Sequence, residues 1–328
     1  MEWNQYWEEL VTKKKLANKI QEMDAADDLL GHELHIEQIC QKIYNDYESY
    51  FREYLEDVRQ NFLKVLDSFE NIHLQTSRVK TIDSLLGKII EKRYQSLKNP
   101  KSGYVGINDT NYKDIVTDLI GMRVILNYRG NWQLIHQEIL RTFRYDETLF
   151  QNEGQDKNAI TLSHPADGTN LVAQIPIAYY AENDDCTEYQ AYGLNAKLHK
   201  MGYRSIHYTV SFQRVYIELQ VRTIYDEAWS DCDHNYVYKH YDNPSYTALE
   251  NISHILSDLT NISNDIGEYM KMIYETKAFK DVGNGKWTAP EDCIRQIRIK
   301  VDKLGDVYAT FENFLKCIQT SQEDIVNE

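Results

Sequence analysis

With 328 residues, of which 42% are hydrophobic and 27% charged, the chain is long enough to bury a sizeable core as one large domain or two small ones. A formal net charge of −15 would repel a polyanion over most of the surface, which argues against a generic nucleic-acid-binding role but leaves room for a small basic site. The opening MEWNQYWEEL has no basic segment followed by an apolar one, and no later apolar run nears the roughly 20 residues of a membrane span, so a cytoplasmic location without a membrane partner is expected. Cys40, Cys186, Cys232, Cys293 and Cys317 are scattered and never spaced C-x-x-C, so they predict buried thiols rather than a disulfide framework or a zinc site.

In chain order, apolar and aromatic residues first recur at helical spacing from Ile36 through Ile39, Cys40, Ile43, Tyr47, Tyr50, Phe51, Tyr54, Val58, Phe62 and Val65 to Phe69, predicting one long amphipathic helix. A second helix is expected from Ser77 to about Leu97, ended by Asn99-Pro100 and Ser102-Gly103. It carries Arg78, Lys80, Lys88, Lys92, Arg93, Lys98 and Lys101 against Asp83 and Glu91, which reads either as an anion site or as a solvated basic face. MRVILN, LVAQIPIAYY, RSIHYTVSF and VYIELQVRT then have the β-branched and aromatic alternation of strands, with a helix from Asn131 to Phe143 between the first two. The last two strands predict an antiparallel hairpin turning at Gln213-Arg214. Two further helical stripes follow, Leu249, Ile252, Leu256, Leu259, Ile262, Ile266, Met270 and Ile273, then Ile294 to Leu315, separated by GNGKWTAP. Both read as packing faces.

The chemistry concentrates on the hairpin. Alternation in IELQVR puts Ile217, Leu219 and Val221 on one face and Glu218, Gln220 and Arg222 on the other. A hairpin with matched faces would set Ser205 and His207 beside Glu218 and Gln220. Tyr203, just before, is suited to stacking on a planar base. Asp118, at a turn between the short helical segment DIVTDLI and the strand MRVILN, supplies a second carboxylate. Two carboxylates from different elements can hold Mg²⁺ on substrate phosphates, with Arg123 and the basic tract neutralising the rest. No G-x-G-x-x-G follows a strand, and Gly87-Lys88 lacks the remainder of a Walker A loop, so ATP would be held by side chains. HELH at His32 to His35 is misspaced for a zinc protease motif, and no His-Asp pair suggests a phosphohydrolase.

These motifs resemble one family. RVKTIDSLLGK is similar to the R-x-K-S…S-I…K stretch of the RelA/SpoT synthetases, DLIGMRV to their D-x-x-G-x-R strand, GYRSIH to G-Y-R-S-x-H and IELQVRT to E-I-Q-I-R-T. AWSDCDHNYVYK is similar to their W-x-x-x-x-H…Y-K ending. The resemblance implies an α/β (α+β) fold, a mixed β-sheet synthetase core like that of nucleotidyltransferases, flanked by helices. It also implies an organisation into a helical extension (1–76), a synthetase domain (77–241) and a C-terminal helical extension (242–328). The implied activity is Mg²⁺-dependent transfer of the pyrophosphate of ATP to the 3′-hydroxyl of GTP or GDP, without a hydrolase domain.

Carried onto this sequence, the resemblance makes Asp118 and Glu218 the metal ligands, with Glu218 activating the hydroxyl. Arg78, Lys80, Lys88 and Arg123 are then the ATP-phosphate residues. Tyr203, Ser205, His207, Gln220, Arg222, His234 and Lys239 form the acceptor pocket. The chain departs from many relatives at Ile90-Glu91, where Lys92 and Arg93 are the compensating cations, and in a long segment between Arg123 and Gly202 that holds Glu182-Asn183-Asp184-Asp185. Two other readings stand beside the first. One is a toxin-type relative that modifies the tRNA 3′ end or makes adenosine alarmones, held in check by an antitoxin. The other is a silent nucleotide-sensing or interaction module whose terminal helices bind a partner or a second copy.

Overall fold

The computed structural model describes residues 2–30, 34–98, 104, 106–145, 169–182, 184–238, 240 and 243–276, with residues 305 and 309. The expected stripe from Ile294 to Leu315, the GNGKWTAP linker, the helix stop at 99–103 and Lys239 lie outside them.

Helices α1 (Trp3–Lys13) and α2 (Ala17–Leu30) precede α3 (Ile36–Asp46), a π-helical turn (Tyr47–Phe51) and α4 (Arg52–Leu66). The long amphipathic helix therefore exists, but with a π turn inside it and an end at Leu66 rather than Phe69. Its buried residues Ile43, Tyr47, Phe51 and Leu55 are four apart. In a regular α-helix each such step rotates a side chain about 40° away from the last, and the wider π turn absorbs that drift. Tyr50 and Tyr54, expected on the stripe, are 59% and 39% exposed.

The tract expected to be helical from Ser77 opens instead as a strand, β1 (Leu74–Val79), and only then becomes α5 (Ile82–Lys98). The cause is long-range. β1 pairs antiparallel with β2 (Ile120–Leu126), setting Arg78 opposite Gly121, and sheet pairing overrides weak local preference. Thr81 then starts α5, its Oγ1 accepting from the Ser84 amide at 3.4 Å. In DIVTDLI only α6 (Tyr112–Ile115) is helical, and Asp118 follows in a turn.

After a 3₁₀ turn (Arg129–Asn131) and α7 (Trp132–Thr142), the expected strand LVAQIPIAYY is split into β3 (Leu171–Val172) and β4 (Ile177–Tyr180). Pro176, which has no N–H to donate, lies in the break. Then follow α8 (Thr187–Ala191), β5 (Asn195–Leu198), β6 (Ser205–Phe212), β7 (Val215–Thr223), α9 (Ile224–Tyr236) and α10 (Tyr246–Thr276). The sheet runs β1-β2-β7-β6-β4-β5, with β3 also on β6. β2 pairs parallel with β7 and β4 with β5, and the other pairings are antiparallel. This is the mixed sheet flanked by helices that the motifs implied.

One face of the sheet is core. Ile217, Leu219 and Val221 are buried there with Ile206, Tyr208 and Val210, in one cluster with residues of α1 to α5. Phe62 of α4 stacks on Phe143 at 5.2 Å between ring centres and meets Phe212 edge-on at 5.1 Å, fastening helix to sheet.

Gln213 and Arg214 form the hairpin turn with φ of 49° and 62°. Both therefore hold the left-handed conformation that costs most side chains about 1–2 kcal/mol. Arg214→Gly is expected to raise stability by about 0.5–1 kcal/mol after glycine's own entropy cost, read as a higher urea midpoint.

α10 turns an unexpected face to the body. Ile262 is buried, as its stripe predicts, but Ile252, Leu259, Ile266 and Met270 are exposed, while Ser253, Ser257, Thr260 and Asn264 are buried. Small polar side chains permit close approach, and each of three of them donates a hydrogen bond there. Ser257 donates to the Gly202 carbonyl at 3.2 Å, Ser253 to Asp233 at 2.7 Å and Asn264 to Asp226 at 3.1 Å. Gly202, at φ 85°, has no alternative: a Cβ would fall 2.2 Å from Ser257 Oγ. No helix among the described residues is long and apolar enough to cross a membrane.

Candidate active site

The second face of the sheet carries the polar row. Across it, Arg78 of β1 lies opposite Gly121 of β2, Gly121 opposite Glu218 of β7, and Glu218 opposite Thr209 of β6. One step along, Arg123 lies opposite Gln220 and Gln220 opposite His207. The hairpin register thus sets His207, not Ser205, directly beside Gln220. A cleft of about 120 Å³ opens on this face between Arg78, Gly121, Arg123, Glu218 and Gln220. The side chain missing at Gly121 leaves its floor at backbone level.

Asp118 stands where the chain enters β2. Its two oxygens meet Lys80 Nζ and Lys88 Nζ, each at 2.9 Å. Burial by itself would raise its pKa, but the two ammonium groups outweigh burial and hold the carboxyl below its ordinary value. Burial likewise works to lower the pKa of Lys88, and Asp118 reverses the sign. The pairing is brought about by the β1–β2 ladder, whose last bond, Lys80 N–H to the Leu119 carbonyl at 2.8 Å, holds Lys80 beside Asp118.

Glu218 accepts from Gln220 Nε2 at 3.0 Å, and its other oxygen lies 3.6 Å from His207 Nδ1. Burial pushes its pKa up, contact with His207 pulls it down further, and Asp118 pushes it up again, with a net lowering. Two carboxylates, of which Asp118 opposes the ionisation of Glu218, form a donor set suited to a hard cation such as Mg²⁺. That ion commonly takes one or two protein carboxylates and completes its shell with waters and phosphate oxygens. No group of three or more His, Cys, Asp or Glu side chains that could hold a metal ion occurs among the described residues.

The Tyr203 hydroxyl meets His207 Nε2 at 2.8 Å. Its ring lies among Tyr179, His199 and Trp229, with the Arg222 guanidinium 5.7 Å from its centre. Ser205 is buried, its hydroxyl 3.4 Å from the Val221 carbonyl. Arg222 is buried too, held by Glu227 at 2.5 Å, Ser230 at 2.7 Å and Gln220 at 3.2 Å. His234 lies exposed on α9, stacked on Tyr238 with 5.5 Å between ring centres.

One cation, Arg93, and two carboxylates, Glu91 and Asp184, that the sequence singled out are engaged elsewhere. Arg93 is buried in a forked pair with Asp27 of α2, both contacts at 3.0 Å, so it does not compensate for Ile90-Glu91. Glu91 itself pairs with Lys19 at 2.5 Å. Asp184, from the acidic stretch, forms a pair with Arg204 at 2.6 Å.

Sequence reasoning missed Tyr179 and Glu227. The Tyr179 ring stands 4.9 Å from His207, and its pKa is raised by burial and then by Glu218. Its alternation with Ala178 was readable, but not its register against β6. Glu227 lies in the first turn of α9, and Thr223-x-x-Asp226, a capping box that starts a helix directly at the strand's end, was its available signal.

A mixed sheet that sets Glu218 among Arg78 and Arg123, with Asp118 held by two lysines where the chain enters β2, has the charges that suit the handling of phosphate groups. The family model for the region found in RelA / SpoT proteins matches residues 77–243, half of the chain. The chain belongs to the RelA/SpoT family, and its matched region is a pyrophosphokinase-type transferase domain.

Among solved structures, a GTP pyrophosphokinase family protein from Streptococcus pneumoniae is 16% identical, with a TM-score of 0.42 over 72% of this chain and 98% of that one. Small alarmone synthetase 1 from Bacillus subtilis is 16% identical, with a TM-score of 0.41 over 71% of this chain and 98% of that one. A Streptococcus mutans protein, smu.1046c, is 15% identical with a TM-score of 0.43, over 70% and 95%. No curated protein matches the chain at a significant level.

Proposed function

We propose that the chain transfers the pyrophosphoryl group of ATP to the 3′-hydroxyl of GTP or GDP, releasing AMP. The observation that carries this reading is the pairing of a lysine-held carboxylate, Asp118, with a second one, Glu218, whose ionised form is favoured on the open face. Glu218 accepts the hydroxyl proton. The ribose oxygen bonds to the β-phosphorus of ATP while the bond from that phosphorus to the α–β bridging oxygen breaks, and the oxygen leaves with AMP.

Lys80, Lys88, Arg78 and Arg123 hold the donor phosphates, and Tyr203 provides a ring for the acceptor base, with His207 and Gln220 steadying Glu218. Mg²⁺, held by Asp118 and Glu218, supplies charge neutralisation on the phosphates. Capture of the phosphates would draw Lys80 and Lys88 partly away from Asp118. Arg222 and Ser205 act from beneath the pocket.

The test is an acceptor screen. Purified protein with Mg²⁺ and ATP labelled in the γ-phosphate is offered GDP, GTP, adenosine nucleotides and uncharged tRNA. Label is expected in a guanosine product with stoichiometric AMP. Label found solely in tRNA or in an adenosine nucleotide would overturn the acceptor assignment.

A further inference from the structure

Glu227 has no place in the reaction as described, yet it is the one carboxylate among the described contacts that bridges two arginines of the site. Its Oε1 receives Arg123 Nη1 at 2.7 Å, and its Oε2 lies 2.5 Å from Arg222 Nε. The local sequence makes this geometry. Thr223 ends β7 and caps α9, accepting from the Asp226 amide at 3.2 Å, so the helix begins with no intervening loop. The first turn of α9 is thereby laid against the polar face of the strand it has just left. Glu227 meets Arg222 there, Ser230 accepts from the same guanidinium, and Asp231 lies 3.5 Å from Arg123.

The two arginines serve different halves of the site. Arg123 borders the cleft beside Glu218, and its side chain is 34% exposed. Arg222, 1% exposed, touches no open surface. It donates to Gln220, which donates to Glu218, and it faces the Tyr203 ring. Resting on the proposed function, we infer that Glu227 is a positioning residue that couples the donor half, through Arg123, to the acceptor half and the general base, through Arg222. One carboxylate that hydrogen-bonds one guanidinium and forms an ion pair with the other ties the two arginines to each other, which two separate partners would not do.

The experiment compares Glu227→Gln, Glu227→Asp and Arg123→Gln with the wild type in full-length protein. KM for ATP, KM for GDP, kcat and Tm are measured for each. Glu227→Gln, which keeps the shape but removes the charge, is expected to raise both KM values by about threefold or more and to lower kcat by about tenfold. Arg123→Gln is expected to raise the KM for ATP alone. Glu227→Asp, keeping the charge on an arm one methylene shorter, should recover part of both KM values.

A Glu227 that merely stabilised α9 would lower Tm and the active fraction with both KM values unchanged, which would overturn the inference. So would a Glu227→Gln effect confined to ATP. Should Glu227→Gln fail to fold, Glu227→Asp carries the same comparison. Binding titrations of GDP and of an ATP analogue with a methylene for the α–β bridging oxygen keep the two readings separable. If the wild type transfers nothing yet Glu227→Gln weakens both ligands, the coupling stands and the reaction assignment falls. If product forms and neither ligand is weakened, the reverse holds.

Discussion

Glu218→Gln is expected to lower kcat by about 10²–10⁴ while changing KM for the acceptor nucleotide little, because it removes a proton acceptor and a carboxylate ligand for Mg²⁺ and leaves a side chain of the same size. Gln220 and His207 hold the Glu218 carboxylate from one side each, and a glutamine retains hydrogen-bonding contacts of this kind. The loss should therefore appear in single-turnover rates, with acceptor binding little changed. A variant that kept wild-type turnover would remove Glu218 from the role of base.

The pH dependence has a definite sign. Glu218 is held below the ordinary glutamate pKa despite its burial. Its ionised form, and the stability that form contributes, is thus fully present above the unfolded value of about 4.3 and is lost only as pH falls through the lower folded value. An acid limb of kcat centred well above that value would contradict the assignment.

Phe62→Ala is expected to cost about 3–5 kcal/mol, the range for emptying a buried phenylalanine site. Phe62 is fully buried and joins α4 to the residue that ends α7, Phe143, and to β6 through Phe212, so three elements lose a shared contact. The effect should be read as a lower urea midpoint at unchanged slope. Because these rings lie on the face of the sheet away from Glu218, KM values measured on the folded protein at low temperature should stay within about twofold. A loss below about 1 kcal/mol would mean that the core collapses onto the vacancy.

How much was legible can be told from particular residues. Period-two alternation placed Ile217, Leu219 and Val221 in the core and Glu218 and Gln220 on the open face, since side-chain direction in a strand is a local property. The order of the motifs around Asp118, Tyr203 and Glu218 was sufficient to place the chain in its family, because that order is written in the chain itself.

Other placements depended on partners far away in sequence. Arg78 and Arg93 belonged to one basic tract, yet β2 draws Arg78 to the cleft and Asp27 draws Arg93 into the packing against α2. The hairpin's register, with His207 rather than Ser205 opposite Gln220, follows from a two-residue turn of residues that rarely adopt positive φ. The polar face that α10 buries follows from Gly202, Asp226 and Asp233, none of them on α10.

By itself, then, the sequence determined which side chains share a strand face and which family's chemistry they carry, because both are set by spacing along the chain. Tertiary structure alone decided which charges line the cleft and which meet one another. Asp118 between two lysines and Glu227 between two arginines are ion pairs made across elements, and a charge acquires its role only when its partner arrives.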